Sequence, residues 1–243
     1  MGFIKKLVKS YVGDPCWQRL GQAKQEFKWS KKSNFMAEEL AEPLLKYLPK
    51  KNGYYVDVGA NDGRSFSNTY HLDMSGWRGI LVEPILHNVF RQRELRSIER
   101  NHFIYAACVD SKYGKEYIEL KYSGLMTIAE SISSKEGLNW AKYGNKFLNP
   151  NEFVTSIWAP AKTLNTILES CAAPYEVDFL SIDVEGAELN VLKGINFQKY
   201  KFKFVCIESE LDSEAVELLK KNGYYVIEKL GANQILSYSE ILN

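Results

Sequence analysis

Short apolar runs alternate with amphipathic segments along most of this chain of 243 residues. The apolar runs are rich in Tyr, Val, Ile and Phe, which pack well on a pleated sheet. Apolar positions in the intervening segments recur near the helical period. Strands that alternate with helices in this way predict an α/β fold with a mostly parallel sheet. The predicted parallel strands are residues 54–58, 79–83, 103–108, 178–183 and 202–207.

The remaining predicted elements complete this layout. Residues 87–98 form a charged helix, and we expect that helix to present a solvated face. An extra strand is predicted at residues 115–120. Two short C-terminal strands, residues 224–228 and 234–238, are expected to form a hairpin through Gly231. The other predicted helices are residues 35–47, 67–74, 164–168, 184–192 and 212–221.

A glycine turn follows the first predicted strand. Gly59 and Gly63 lie four residues apart, with short polar residues between them. Glycine allows a sharp turn and a close approach of the backbone to a ligand. A strand, a glycine turn and a helix form the frame of a nucleotide-type pocket. A plain β–α turn is the alternative for this stretch alone, because a single glycine-rich loop is a weak signal.

The second predicted strand ends in a carboxylate, Glu83, twenty residues after Gly63. Adjacent strands of a parallel sheet end at the same edge, so Glu83 is expected to face the glycine turn. A carboxylate at this place accepts the hydroxyl hydrogens of a ribose, and this spacing recurs in nucleoside-binding folds. Pro84 ends the strand because proline has no N–H for the ladder.

The chemistry of the glycine turn separates two classes of cofactor. A dinucleotide site requires Gly-x-Gly-x-x-Gly, whereas this chain has Asn61 and Arg64 at the second and third glycine positions. S-adenosylmethionine has no phosphate and carries an ammonium and a sulfonium. A row of acids at the edge of the sheet therefore favours S-adenosylmethionine over NAD. The acids predicted at this edge are Asp57, Asp62, Glu83 and Asp183.

Four blocks of sequence follow one another along the chain: residues 57–63 (DVGANDG), 67–69 (SNT), 76–84 (GWRGILVEP) and 177–188 (VDFLSIDVEGAE). Together they resemble the FkbM-type S-adenosylmethionine-dependent methyltransferases, and the likeness covers roughly residues 33–238. The resemblance implies a class I methyltransferase fold, a Rossmann-like doubly wound sheet that is mostly parallel and has a C-terminal antiparallel hairpin strand. It also implies methyl transfer to oxygen, commonly on a sugar or a polyketide hydroxyl. The acceptor varies within the family, so the resemblance does not identify it.

The cofactor-binding residues are predicted at the strand ends and in the loops that follow them. The members from the first strand and its loop would hold the methionine end. Asn68 is included because its amide can donate to a carboxylate and accept from an ammonium. Ala107 and Cys108 end the third predicted strand, where small residues would suit a flat adenine ring, although small residues also fill ordinary cores. The full predicted set is Asp57, Gly59, Asn61, Gly63, Asn68, Glu83, Ala107, Cys108 and Asp183.

Acids at the ends of the fourth and fifth predicted strands are the candidate catalytic groups. A sugar hydroxyl is a poor nucleophile, so a base or a metal should take up its proton. We predict Asp183 near the transferred methyl group, with Glu208 or Glu185 as its partner. Glu188 has the simpler interpretation of an acid that complements a helix dipole. His71 is an outside candidate, because a lone helix histidine is more often structural. Three acids could also hold Mg²⁺ through oxygen ligands, but no ligand spacing establishes a metal site.

Residues from about 121 to 160 interrupt the regular alternation. This stretch is rich in glycine and aromatic residues, and long insertions in compact domains are usually functional. Aromatic faces stack on sugars and drug-like rings, so we predict an acceptor-binding lid; an oligomer contact or a separate subdomain is the alternative. The insertion lies within a methyltransferase domain that we predict over residues 33–243. Its aromatic residues include Trp140, Tyr143, Phe147, Phe153 and Trp158.

Residues 1–32 form a basic and aromatic extension before that domain. A basic amphipathic helix can lie on a membrane surface, but we favour packing on the domain or on a partner subunit. Part of the extension could instead fold over the cofactor. No apolar run approaches the length of a membrane span, and the N-terminus lacks the core of a signal peptide.

Composition narrows the expected partners. A formal net charge of +1 argues against nucleic acid, since proteins that bind nucleic acid usually carry a basic excess. The four cysteines are scattered, so we expect a reducing cytoplasm. The expected partner is a small-molecule or glycan acceptor, and a homo-oligomer stays open. The rival functions are a non-catalytic binding protein with the same fold and an NAD-dependent oxidoreductase on a similar sheet.

Overall fold

The computed structural model describes residues 47–48, 52–129, 131, 148 and 153–238. The N-terminal extension lies outside the described residues, as do the predicted helix at residues 35–47 except for Tyr47 and the aromatic residues Trp140, Tyr143 and Phe147. No helix in the described part of the chain is long and apolar enough to cross a membrane.

Strands and helices alternate along the described residues, as the hydrophobic pattern predicts. The helices are α1 (Tyr70–Met74), α2 (Leu86–Leu95), α3 (Leu164–Ser170), α4 (Glu188–Lys193) and α5 (Glu214–Lys221). The strands are β1 (Tyr54–Val58), β2 (Arg78–Glu83), β3 (Asn101–Tyr105), β4 (Ala107–Cys108), β5 (Tyr117–Tyr122), β6 (Thr155–Lys162), β7 (Glu176–Ile182), β8 (Lys201–Glu208), β9 (Tyr224–Leu230) and β10 (Asn233–Tyr238).

Seven strands form the main sheet in the order β3-β2-β1-β7-β8-β10-β9. The first five in this order run parallel, and β10 is antiparallel to both β8 and β9. The predicted α/β fold, with a mostly parallel sheet and a C-terminal antiparallel hairpin, is therefore confirmed. β2 and β3 follow on one side of β1, whereas β7 and β8 lie on its other side, so the strand order reverses between β1 and β7. Ligands of open α/β sheets bind at such a switch point, beyond the carboxyl ends of the strands.

Apolar side chains cover both faces of the main sheet. Val56 of β1 packs in one buried cluster with Leu180 of β7, whereas Tyr55 packs in a second cluster with Phe179. Successive residues of a strand point to opposite faces, which explains this division. Burial of one such side chain contributes about 1.5–3 kcal/mol. The central strands are thus anchored on both faces, and their carboxyl ends are held in place.

The strand register aligns these carboxyl ends at one level. Val58 pairs with Val82 on one side and with Ile182 on the other, and Ile182 pairs with Ile207. The residue after each of these positions therefore lies at the same edge of the sheet. The acidic side chains that the register places there are Glu83, Asp183 and Glu208.

The single strand predicted over residues 103–108 is divided in the structure. β3 ends at Tyr105, Ala106 donates its N–H to the Glu83 carbonyl oxygen, and β4 then pairs in parallel with β6. A second sheet of three strands has the order β4-β6-β5. The prediction that Ala107 and Cys108 end the third strand of the main sheet is therefore wrong. Their hydrogen-bond partners lie in β6, more than fifty residues later, and a local pattern does not reveal such a pairing.

The helix predicted over residues 184–192 begins four residues late, at Glu188. Glu185 and Gly186 both have positive φ, at 54° and 93°. A helix cannot pass through such left-handed residues, so the chain makes a turn between β7 and α4. This turn directs residues 184–187 along the edge of the sheet.

The helix predicted over residues 67–74 also begins late, at Tyr70. Ser67 Oγ accepts the N–H groups of Thr69 and Tyr70, both at 3.1 Å. A serine that binds nearby backbone N–H groups offers the chain an alternative to helix. Residues 67–69 therefore form a turn, with Asn68 at its centre.

Candidate active site

A cavity of about 280 Å³ lies at the switch point of the main sheet. Its wall consists of the loop after β1, the ends of β2 and β8, residues 106–108 and 124–127, and the turn between β7 and α4. The described residues that line it do not include Gly63 or His71. The predicted site residues that do line it are Asp57, Gly59, Asn61, Asn68, Glu83, Ala107, Cys108, Asp183, Glu185 and Glu208.

The Gly59 backbone passes very close to the end of β7. Its φ is +85°, and a Cβ at this position would lie 1.7 Å from the Asp183 carbonyl oxygen. Glycine is required here because any side chain would collide with that backbone. The Gly59 N–H donates to the Val82 carbonyl oxygen at 3.0 Å, so the loop is also held against β2. Gly63, at φ +83°, turns the chain beside Gln92.

Glu83 is buried and is held by backbone donors. Its two carboxylate oxygens accept the N–H groups of Asn61 and Ile85, each at 2.9 Å. Burial raises the pKa of this carboxyl to about 7, against the opposing effect of hydrogen bonds from Ile85, Asn61 and Asn88. A carboxylate offers about four acceptor positions. Capacity therefore remains for a hydroxyl group of a ligand in the cavity.

Asn68 lines the cavity and has an unsatisfied acceptor. Its Nδ2 donates to Ser181 Oγ at 3.1 Å, whereas its Oδ1 is buried and has no hydrogen-bond partner among the described residues. A buried polar atom without a partner costs about 1–3 kcal/mol. A ligand that donates a hydrogen bond here would remove that cost, and an ammonium group is such a donor.

Asp57 is buried at the end of β1 and faces Arg96. Thr69 Oγ1 donates to Asp57 Oδ2 at 2.5 Å, and the Arg96 guanidinium lies 3.9 Å from the same oxygen. Burial raises the pKa of the Asp57 carboxyl, while the positive charge of Arg96 opposes that rise. The carboxylate thus has both a counter-charge and a hydrogen-bond donor beside it.

The expectation that residues 87–98 present a solvated face is wrong for one side of α2. Val89, Gln92 and Arg96 are only 7%, 0% and 4% exposed. Val89 and Gln92 follow the buried Ile85 at intervals of four and seven residues, which is one stripe of a helix. Arg96, eleven residues after Ile85, continues this spacing as the C-cap residue just beyond α2. Sequence analysis misses Arg96 as a site residue, although this stripe is the signal by which it could be found.

Asp183 and Glu208 meet at the ends of the neighbouring strands β7 and β8. Their carboxyl groups form a hydrogen bond, in which a protonated Asp183 donates to Glu208. Burial raises the pKa of Asp183 well above its ordinary value, and the charges of Glu208 and Glu185 raise it further. In this hydrogen-bonded pair of carboxyl groups, the neighbouring negative charge disfavours the ionised form of Asp183. Such a pair can both donate a hydrogen bond to a hydroxyl group and accept one from it.

Glu185 lies beside this pair, whereas Glu188 has a different role. Burial raises the pKa of Glu185 to about 8, and the charges of Glu208 and Glu188 contribute to the rise. Glu188 Oε1 accepts the Gly186 N–H at 2.9 Å, so Glu188 closes the turn before α4. Across the residues that the structure describes, no group of three or more His, Cys, Asp or Glu residues is arranged to hold a metal ion. Magnesium stays an untested alternative.

His71 lies on α1 and is half-buried. Its Nδ1 and Nε2 have no hydrogen-bond partner within the described part of the chain. Burial, followed by the charge of Arg96, lowers the pKa of this imidazole to about 4. The structure does not bring this candidate base into the cavity wall with Asp183 and Glu208.

Part of the predicted aromatic insertion forms one wall of the cavity. Gly124, Leu125, Met126 and Thr127 line it. Trp158 lies on β6 and is 58% exposed. The role of the insertion as an acceptor-binding lid stays a prediction.

Three solved structures resemble the chain at low identity. They are S-adenosylmethionine-dependent methyltransferases from Aquifex aeolicus (15% identity, 87% of this chain and 95% of that chain, TM-score 0.39), from Corynebacterium glutamicum, a TehB-like protein (8%, 89% and 99%, 0.39), and from Leishmania major (14%, 83% and 70%, 0.37). A search of curated proteins returned no significant match.

A protein-family model matches a large part of the chain. The model is described as the methyltransferase FkbM domain, and it matches residues 57–226, which is more than half of the sequence. The match begins in β1 and extends into β9, so it includes the glycine turn, Glu83 and the pair of Asp183 and Glu208. This agrees with the resemblance in the four sequence blocks. The chain therefore belongs to the FkbM family of S-adenosylmethionine-dependent methyltransferases.

Proposed function

We propose that this protein transfers the methyl group of S-adenosylmethionine to a hydroxyl oxygen of a sugar, a glycan or a similar small-molecule acceptor. The observation that carries the proposal is the hydrogen-bonded pair of Asp183 and Glu208, which lines the same cavity as Glu83 and Asn68. S-adenosylmethionine, when bound, supplies an electrophilic methyl group on a sulfonium. The side chains of the cavity bind the cofactor, orient the acceptor and take up the proton that the acceptor loses.

Glu83 is assigned to the ribose of the cofactor. The N–H groups of Asn61 and Ile85 hold one carboxylate oxygen each, so the carboxylate keeps a single orientation. Its remaining acceptor position suits a hydroxyl group of a ribose. Hydrogen bonds to a charged partner contribute about 1.5–3 kcal/mol, which is enough to change the affinity for the cofactor by at least tenfold.

Asn68 and the loop after β1 are assigned to the methionine end. The unpartnered Asn68 Oδ1 fits a donor such as the ammonium group. No Lys, Arg or His occurs among the described residues of the cavity wall. No positively charged side chain in this described part of the wall would therefore repel a cofactor that carries both an ammonium and a sulfonium. The acids of the wall are Asp57, Glu83, Asp183, Glu185 and Glu208.

Asp183 is assigned as the general base for the acceptor hydroxyl. Burial and the charges of Glu208 and Glu185 raise the pKa of Asp183 well above its ordinary value, which makes its carboxylate a stronger base for the hydroxyl proton. Glu208 accepts a hydrogen bond from the protonated Asp183, so it orients Asp183 and stabilises the proton after transfer. General-base assistance contributes about 10²–10⁴-fold. Alignment of the hydroxyl with the S–CH₃ bond contributes more, about 7–11 kcal/mol in the best cases.

The assignment of the acceptor to sugars and similar polyols rests on hydrogen bonding at the same pair. Carboxyl groups that share a proton can donate to one hydroxyl group and accept from its neighbour, and a sugar offers hydroxyl groups side by side. The predicted lid at residues 121–160 would supply aromatic faces for the sugar ring. Its described residues 124–127 form part of the cavity wall, which supports an acceptor site there.

The test combines binding with turnover. S-adenosylhomocysteine affinity is measured by calorimetry, and methyl transfer is measured with a panel of free sugars, nucleotide sugars and glycans. We expect Asp183→Asn to lower turnover by about 10²–10⁴-fold while the affinity for S-adenosylhomocysteine changes less than threefold. Asp178→Asn is the matched control, because Asp178 lies on the same strand but pairs with Lys203 at 2.8 Å. Binding without methylation of any acceptor in the panel would favour the non-catalytic alternative, and full activity of Asp183→Asn would refute the assignment of the base.

A further inference from the structure

We propose that Arg96 is a positioning residue for the cofactor site, which acts through Asn68 and the loop after β1. The inference rests on the proposed function, since it concerns the binding of S-adenosylmethionine. The Arg96 side chain is 0% exposed, and the cavity wall, as far as the structure describes it, does not include this residue. Its influence on a ligand must therefore pass through the residues that it holds.

The Arg96 guanidinium connects three segments around the cavity. Nε donates to the Gly63 carbonyl oxygen at the end of the glycine turn. Nη1 donates to the Tyr55 hydroxyl of β1 at 3.0 Å and to the Thr69 carbonyl oxygen at 3.1 Å. Nη2 donates to Ser67 Oγ at 2.7 Å and to Thr69 Oγ1 at 2.9 Å. One buried side chain thus joins β1, the loop after it and the turn before α1.

Asn68 lies between the two residues that Nη2 holds. Arg96 contacts Ser67 on one side of it and Thr69 on the other, and the Thr69 N–H also donates to Ser67 Oγ at 3.1 Å. The turn is therefore closed around Asn68, whose Nδ2 is bound by Ser181 Oγ. These contacts fix the position of Asn68, which lines the cavity and has an unpartnered Oδ1. Without Arg96 the turn would lose the donors that fix its two ends.

Arginine is suited to this position by geometry as well as by charge. A guanidinium presents five N–H donors in a fixed plane, whereas a lysine ammonium presents three on a flexible stem. The Tyr55 and Tyr70 rings lie 5.8 and 5.3 Å from Arg96 Cζ, within the range of cation–π contact. A lysine would retain the charge near Asp57 and lose most of the hydrogen bonds. Arg96→Lys therefore separates the positioning effect from the electrostatic one.

A double-mutant cycle tests the inference. S-adenosylhomocysteine affinity is measured by calorimetry for the wild type, Arg96→Lys, Asn68→Ala and the double variant. We expect each single variant to weaken binding by about tenfold and the double variant to bind within about twofold of Asn68→Ala, because coupled residues are not additive. Additive losses, about 100-fold in the double variant, would overturn the inference.

Arg100→Lys is the matched control for a purely structural effect. Arg100 Nη2 donates to the Asp73 carbonyl oxygen at 3.0 Å and to Asp73 Oδ1 at 3.2 Å, in contacts that do not involve the glycine turn or Asn68. We expect this variant to lower the melting temperature and leave the affinity within twofold. An equal loss of affinity in Arg100→Lys and Arg96→Lys would show that loss of stability alone weakens binding, which also overturns the inference.

Thr69→Val replaces Arg96→Lys in the test if Arg96→Lys does not fold. It removes the Oγ1 acceptor of Arg96 and the hydrogen bond from Oγ1 to Asp57 Oδ2 with little change of volume, and it enters the same cycle with Asn68→Ala. If the wild type binds S-adenosylhomocysteine and the losses of affinity are additive, only the role of Arg96 is refuted. Absence of binding by the wild type would refute the cofactor site and the proposed function with it, so the two failures are distinguishable.

Discussion

The two ends of the cavity hold acids in opposite surroundings. Glu83 is met by the N–H groups of Asn61 and Ile85, whereas Asp183 is met by the carboxyl groups of Glu208 and Glu185. Burial is the main cause of a raised pKa at both ends, but like charges add to it mainly at the Asp183 end. Donors around a carboxylate fix its orientation for a ligand, and neighbouring acids make a carboxylate a stronger proton acceptor. The contrast assigns cofactor recognition to one end and proton transfer to the other.

The largest effect of a substitution on stability and binding is expected at Gly59, which contacts the ends of both β2 and β7. In Gly59→Ala the new Cβ would lie 1.7 Å from the Asp183 carbonyl oxygen, so the loop after β1 or the end of β7 must move. We expect the free energy of unfolding to fall by more than about 3 kcal/mol and S-adenosylhomocysteine binding to be lost. Urea denaturation and calorimetry measure the two effects.

Gly76→Ala provides the control for backbone strain at Gly59. Gly76 has a similar φ of +88°, but nothing lies within 4 Å of a Cβ built there. Its substitution should cost only about 1–2 kcal/mol of left-handed strain and leave binding intact. Equal losses in the two variants would mean that the close approach of the loop to β7 is unimportant.

Substitution at the Glu83 end should affect binding more than turnover. Glu83→Ala removes the carboxylate assigned to the ribose, and we expect the dissociation constant of S-adenosylhomocysteine to rise about 10- to 100-fold, as hydrogen bonds to a charged group predict. Turnover at saturating cofactor should fall much less than in Asp183→Asn. Calorimetry and initial rates give the two values, and an unchanged dissociation constant would remove the ribose assignment.

The raised pKa values predict how stability changes with pH. In the folded protein the pKa values of Glu83 and Glu185 are about 7 and 8, above the ordinary value of 4.5. The folded state therefore binds these protons more tightly than the unfolded state does. The resulting stabilisation is complete below about pH 4.5 and is lost as the pH rises through 7 and 8.

We expect the free energy of unfolding of the ligand-free protein to fall by about 6 kcal/mol between pH 5 and pH 8, since each pKa unit of difference is worth about 1.4 kcal/mol. Turnover should rise with pH, since Asp183 must lose its proton to act as a base. Glu185→Gln should flatten the stability curve above pH 7. Urea denaturation at four pH values measures the slope, and an identical slope in the variant would contradict the raised pKa of Glu185.

The smallest effect is expected at His71, outside both ends of the cavity. The described part of the cavity wall does not include it, so His71→Asn should leave kcat within about twofold of the wild type. A loss comparable to that of Asp183→Asn would return His71 to the catalytic candidates. The stability change is expected to stay within about 1 kcal/mol, since neither ring nitrogen has a hydrogen-bond partner among the described residues.

Much of the sheet could be predicted because its strands carry their own signal. The first strand was predicted at residues 54–58, and β1 has the same bounds. Apolar runs show where a parallel strand begins and ends. The division of residues 103–108 between two sheets could not be predicted, because it depends on the pairing of β4 with the distant β6.

The sequence by itself determined the α/β order, the glycine turn at Gly59 and the acids that end successive strands, since each of these follows from local periodicity and residue type. The tertiary structure decided which acids meet. Strand register placed Asp183 against Glu208, and packing at the C-terminal end of α2 buried Arg96 behind the loop after β1. These arrangements depend on contacts between residues far apart in the chain, and only folding brings such residues within hydrogen-bonding distance.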